Sequence, residues 1–190
     1  PQLSGEQFGV YIGNMNSKFQ LGWSNTFTYK DFSLYFLING KIGGKVISFT
    51  EAELDKLGVS QRTADARLAA ENNNDLIWNG KPAMYMPDGN LAPINAYYQG
   101  IGGDVNATQY VYDATNFRLR ELSLGYTFRN LLGASKNVSL SLIARNLFFI
   151  YKDAPVDPDI SLSTQNGLGA FEIFNMPSAR SFGISLKANF

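Results

Sequence analysis

Four aromatic residues, Trp78, Tyr85, Tyr97 and Tyr98, are the side chains of this sequence best suited to hold a ligand. A flat apolar face with a polar tip stacks on a sugar or an amphipathic side chain, although the same rings could equally pack within their own segment. Asp153, Asp157 and Asp159 stand at spacings a calcium loop could use. No EF-hand Gly or bidentate Glu follows them, and Asp-Pro is ordinary turn chemistry, so the spacing favours a turn. Gly100-Ile-Gly-Gly103 lacks the lysine of a phosphate loop and leads into no clear helix, which favours a flexible loop over a nucleotide site. Arg118, Arg120, Glu121 and Arg145 mix both signs and read as a charge network on a water-facing wall. The 190 residues include no cysteine and no histidine. Disulfides, thiolate nucleophiles, Cys/His zinc sites and His-based triads are therefore excluded. No constellation supports catalysis, and no cofactor or metal is expected.

Composition narrows the partners. Lys+Arg and Asp+Glu balance at 16 each, without the basic excess that phosphate contacts need, so no nucleic-acid partner is expected. The chain is 45% hydrophobic and its mean hydropathy is -0.14. Its longest apolar run, Leu147 to Tyr151, is far short of the roughly 20 residues of a spanning helix. Any passage through a membrane must be made by strands. The sequence starts at Pro1 with no signal peptide, so a piece of a longer chain is expected.

The elements that must carry these residues are read from period-2 alternation. From Arg180 to Phe190 the even positions Phe182, Ile184, Leu186, Ala188 and Phe190 are apolar and the odd ones small or polar, as in a strand with one greasy face. Its length matches the roughly nine to eleven residues of a tilted membrane strand. Residues 1–17 are rich in Gly and Asn and read as loop. Lys18 to Tyr29 and Phe32 to Gly43 repeat the alternation on either side of a tight turn at Lys30-Asp31, giving a hairpin. It returns from Phe117 to Phe128, where Leu119 has the wrong parity and implies a bulge near Arg120 or an inward Leu119. A fourth strand starts at Val138 and runs into Asn146-Leu-Phe148.

Between these strands lie two long segments, about 46–112 and 152–177. The first carries helix signals: Thr50-Glu-Ala-Glu53 as a capping box with Gly58 as its stop, and Ser60 capping a second helix from Gln61 to about Glu71. Asn79-Gly80 and Pro87-Asp88-Gly89 mark small hairpins. The pattern is all-β at its frame: about five antiparallel strands, with short connections near Lys30 and Leu132 and long ones elsewhere. That is the asymmetry of outer-membrane barrels, and it predicts extracellular long loops. Tyr29, Phe32, Tyr126, Phe128 and Phe190 then form one aromatic girdle and Phe19, Trp23, Phe148, Tyr151 and Phe182 the other. Five strands cannot close a barrel, so they are expected to be the last strands of a larger one. A soluble β-sandwich binding module is the alternative.

A family resemblance rests on an ordered set of pieces. Gly13-Asn14, Phe19 to Leu34, Gly43-Gly-Lys-Val46, Tyr97-Tyr98, Val111 to Thr115 and Arg118 to Tyr126 come first. Asn146-Leu-Phe148, Asp157-Pro-Asp159 and the ending from Pro177 to Phe190 follow in the same order. The set resembles the C-terminal part of SusC-like TonB-dependent transporters. The resemblance implies a 22-stranded barrel in the bacterial outer membrane, with its plug domain and TonB-contacting segment upstream of Pro1. It also implies import of a glycan or oligopeptide, a SusD-like surface lipoprotein as partner, and contact with outer-membrane lipid. Phe182 and the terminal Phe190 would be what the barrel-assembly machinery reads.

Overall fold

The computed structural model describes residues 11–86, 89–103, 107–130, 137–160, 162 and 168–189. Among the described residues the first elements are strands β1 (Phe19–Tyr29), β2 (Phe32–Ile42) and β3 (Lys45–Ser48), then helices α1 (Phe49–Leu57) and α2 (Gln61–Glu71). Short strands β4 (Ile77–Trp78), β5 (Lys81–Tyr85) and β6 (Leu91–Pro93) lead to helix α3 (Ile94–Gly103) and strand β7 (Val111–Asp113). Strands β8 (Asn116–Phe128), β9 (Asn137–Lys152), β10 (Phe171–Glu172) and β11 (Ser181–Asn189) complete it. No helix among the described residues is long and apolar enough to cross a membrane, which says nothing about strands. The chain divides into two compact units.

One unit is a five-stranded antiparallel sheet in the order β1-β2-β8-β9-β11. Its register turns the alternation into rows. Phe27, Leu34, Leu124, Leu142 and Ile184 stand side by side across all five strands. All five are 37% to 74% exposed. One step along, Thr28, Ser33, Gly125, Ser141 and Ser185 form a matching row on the opposite side. There a side chain at Gly125 would press on the hydroxyls of Ser33 and Ser141, which is why the middle of that row has none. Trp23, Ile38, Leu119 and Phe148 make another apolar row.

Leu119 joins that row through a bulge. Leu37 pairs with Glu121 and Ile38 with Leu119, so Arg120 is the extra residue on β8. The wrong parity at Leu119 is thus resolved by the bulge expected there, with the leucine on the apolar side. The strand ends agree with the predicted turns: the amide of Thr127 donates to the Asp31 carbonyl at 2.9 Å, and Arg129 Nε bonds the Asp31 carboxylate at 2.5 Å. The turn at Lys30-Asp31 and the C-terminal end of β8 therefore share one end of the sheet. Phe32 and Tyr126 meet edge to face there, with centroids 4.7 Å apart. At the opposite end the chain leaves through Gly43 and Gly44, both left-handed (φ 76 and 92). A Cβ on Gly44 would sit 2.9 Å from the Met15 carbonyl oxygen, so only glycine fits that close approach. Phe190 lies outside the described residues.

The other unit is built from helices and short strands. Ser60 caps α2 by accepting the Thr63 amide, as expected, and Gly58 ends α1 in the left-handed region. The cap of α1 differs from expectation: Ser48, not Thr50, accepts the Glu51 amide. Thr50 instead donates to Glu172 at 2.8 Å and accepts the Phe174 amide at 2.6 Å. Asn79 and Gly80 form the predicted tight turn between β4 and β5, both with positive φ, the signature of a type I′ hairpin. Gly89 belongs to the second predicted turn, of which Pro87 and Asp88 lie outside the described residues. Gly100 to Gly103 are not a flexible loop but the last turn of α3. The glycines serve contact there, because a Cβ on Gly102 would run into the Ala52 carbonyl of α1. Ile94, Tyr98 and Ile101 of α3 pack with Ala70, Ala66, Leu76 and Met84 to form the core. Burial of each large side chain stabilises by about 1.5–3 kcal/mol.

Candidate functional site

On the polar side of the sheet, the bulge gathers charge. Strict alternation would place Arg118 and Arg120 on one face and Glu121 on the other. The extra residue lets all three face the same way. Arg118 Nη2 bonds Asp157 at 2.9 Å, and Arg120 Nη2 bonds Asp159 at 2.7 Å. Lys41 pairs with Asp159 at 2.8 Å, and Arg145 Nε with Glu121 at 3.0 Å. Of the charge network expected of Arg118, Arg120, Glu121 and Arg145, Glu121 and Arg145 pair with each other, whereas Arg118 and Arg120 join Lys41 in pairing with two aspartates.

The aspartates come from a strap, residues 153–160, that returns over the sheet. Lys152 Nζ donates to the carbonyls of Pro155 and Val156 at 2.8 and 3.3 Å, closing its first turn. Asp153 accepts the Asp113 amide at 3.2 Å, and Ala154 is buried. Burial raises the Asp157 carboxyl, but bonds from the Ser178 hydroxyl, the Asp159 amide and Arg118 outweigh it and hold the group below its ordinary value. Asp157 thus accepts from Arg118, Ser178 and the Asp159 amide, and Asp159 pairs with Arg120 and Lys41.

Of the four aromatics proposed as ligand platforms, Tyr97 and Tyr98 meet each other. Tyr98 is 8% exposed inside the core and meets Tyr97 edge to face at 5.2 Å; both serve packing. Trp78 and Tyr85, on the β4–β5 hairpin, are 42% and 60% exposed and remain available to a ligand. Phe182 is 76% exposed on β11. Two buried clusters in the same unit as the aromatics gave no sequence signal. In one, Asp55 receives the Tyr110 hydroxyl at 2.9 Å and pairs with Arg62, which lies over the Tyr110 ring. Burial, then the bond to Asp55, pushes the Tyr110 phenol up. In the other, Glu172 accepts the Ser48 hydroxyl at 2.7 Å. The partners are 55 and 124 residues apart in the chain, a separation no local pattern encodes.

No family model matches the chain. Over 187 residues it is 24% identical to TonB-dependent receptor P3 of Formosa agariphila, covering 94% of this chain and 17% of that protein. Its fold is similar to that of the RagAB peptide importer in its closed-closed state, with a TM-score of 0.53 and 16% identity over 94% of this chain and 18% of that one. The chain spans under a fifth of either relative. The resemblance to TonB-dependent transporters drawn from the motifs is thus matched along nearly the whole chain. Its frame is an antiparallel sheet of the kind found in that neighbour, and not a closed barrel by itself.

Proposed function

We propose that the chain supplies five neighbouring strands of a large β-barrel in the bacterial outer membrane, which imports a glycan or an oligopeptide under TonB control. The observation that carries this is the row from Phe27 to Ile184, apolar and exposed across five strands. Directly beside it on the other face runs a row of small polar residues. Hydrocarbon outside and water inside demand this division, and every backbone group in such a wall must be paired by a neighbouring strand. The names of the two relatives, a TonB-dependent receptor and a peptide importer, support the same reading.

In this proposal the segments 46–112 and 152–177 lie outside the cell, where a SusD-like lipoprotein closes over the ligand. Trp78 and Tyr85 are the exposed rings that meet the cargo there. TonB is engaged through the N-terminal part of the full-length protein, and Phe182 and Phe190 are the aromatics that the assembly machinery reads. The chain's work is passage and recognition, not catalysis.

The test is uptake by cells carrying the full-length gene, with a labelled oligopeptide mixture and a labelled polysaccharide digest as separate probes. One probe should enter, entry should stop when TonB is deleted, and Trp78→Ala with Tyr85→Ala should weaken it. Recovery of the protein in the soluble fraction, or uptake of both probes unchanged without the gene, overturns the proposal.

A further inference from the structure

Alternation decides which face a strand shows, but not where along its neighbour it comes to rest. From Phe182 to Ala188, β11 repeats apolar and polar or small residues with period two. A slide of two residues against β9 would keep every apolar side chain on its own face. In a tight hairpin the turn forbids such a slide. Here residues 153–180 join the two strands, and a loop that long is almost indifferent to two residues more or less. Something else holds Ile184 against Leu142 and Ser185 against Ser141.

We infer that a polar clamp of Asn146, Arg118, Asp157 and Ser178 sets the register of the final strand. Just before β11 starts, the Asn146 side-chain amide donates to the Ala179 carbonyl at 3.2 Å. The Ser178 amide donates to the Asp157 carboxylate at 3.3 Å, and its hydroxyl donates to the same group while accepting from Arg118. Each fixed member is itself held. Asn146 sits in the left-handed region (φ 52), which Asn tolerates better than most residues. Its carbonyl oxygen accepts Arg120 Nη1 at 3.1 Å. The side chains of Arg118 and Asp157 are 5% and 8% exposed.

The clamp reads register because it is short-ranged. A slide of two residues moves β11 by about 7 Å along β9, far beyond hydrogen-bond reach. Ala179 would leave Asn146, and Ser178 would leave an ion pair that water barely touches. Losing bonds to charged groups in such a place is costly, whereas the apolar rows lose nothing by the slide. Asn146 and Ser178 are positioning residues, and the inference rests on the sheet alone, independent of what the protein carries.

The test is disulfide trapping in the full-length protein, since this chain contributes no cysteine of its own. Ser185→Cys with Ser141→Cys reports the observed register. Ser185→Cys with Ser139→Cys or with Ile143→Cys reports slides of two in either direction, because diagonal neighbours about 7–8 Å apart are too distant to bridge. The unaltered clamp should give the first disulfide only. Ser178→Ala should raise a slipped product about tenfold, the scale of a hydrogen bond to a charged group, and Asn146→Ala, which removes a bond to a neutral carbonyl, about fivefold. Arg129→Ala, which removes the pair to Asp31 at the opposite end, should not. Ser178→Ala decides the matter, as it leaves both ions in place. A register unchanged in Ser178→Ala and Asn146→Ala, or slippage equal to that of Arg129→Ala, overturns the inference.

Discussion

The guanidinium carbon of Arg118 lies 3.9 Å from the centre of the Phe149 ring, its partner on the neighbouring strand. The planar cation is used twice: its face rests on an aromatic, and its edge bonds Asp157 and Asp159. A lysine could do one or the other, because its point charge has no plane to stack and no fork to share. Arg118→Lys should therefore cost about 1–2 kcal/mol, the worth of the stack and one bond. Arg118→Leu leaves Asp157 without its cation in a nearly dry site, while Asp159 keeps Arg120 and Lys41, and should cost about 3–5 kcal/mol. Denaturant unfolding of the full-length protein in lipid vesicles measures both, and equal small losses would refute the role given to the ion pair.

Acid should act on the same site. The Asp157 carboxyl is held below its ordinary value, so folding favours its ionised form. For a depressed acid, the stabilisation is complete above the unfolded value of about 3.9 and is lost as pH falls through the lower folded value. Stability should be insensitive to this group from pH 5 to pH 8, as estimated from those values, and should decline in the strongly acid range. In Asp157→Asn that decline should be shallower, with a lower plateau at neutral pH. Unfolding midpoints followed across the acid limb in both proteins make the comparison, and parallel limbs would show that Asp157 contributes nothing to it.

The fold was legible wherever one face meets a different surrounding from the other. β1, β2, β8 and β11 appear in the sequence within a residue or so, because a two-sided wall imposes period two. Even the bulge at Arg120 shows in the parity of Leu119. Legibility fails where distant chain decides between local options. Both Ser48 with Glu51 and Thr50 with Glu53 have capping-box spacing; Glu172 engages Thr50, and the cap falls to Ser48. α3 was hidden by its glycines, although Ile94, Tyr98 and Ile101 already had helical spacing. The strap's ion pairs join residues 39 and 41 apart, and nothing in a local window links them.

The glycines of α3 give a sharp case of packing without side chains. Gly102 meets the backbone of α1 at the Ala52 carbonyl, and Lys56 lies beside it. Backbone cannot turn aside as a side chain does, so one added methyl must push the helices apart. Gly102→Ala should destabilise by about 1–3 kcal/mol, the range for overpacking, even though alanine favours helix. Gly89→Ala tests the alternative that any glycine here is sensitive, since a Cβ there meets nothing within 4 Å and the strain is that of its positive φ (81) alone. Limited proteolysis within residues 46–112 reads the difference, and resistance unchanged in Gly102→Ala would exclude close helix contact.

The exposed row gives the most direct test of the surroundings proposed for the sheet. Leu142 stands in its middle, between Leu124 and Ile184, and is 54% exposed; Ser141, its neighbour in the chain, is in the row on the other face. If hydrocarbon covers the first and water the second, Leu142→Arg should cost about 2–4 kcal/mol near the bilayer centre, and Ser141→Arg should cost much less. In water the order would differ, because an exposed leucine gives way to arginine at little cost, whereas Ser141 is half-buried. Unfolding of both variants in lipid vesicles supplies the energies. The sign of the difference distinguishes a membrane wall from a water-exposed sheet, and a smaller cost at Leu142 than at Ser141 would remove the membrane from the proposal.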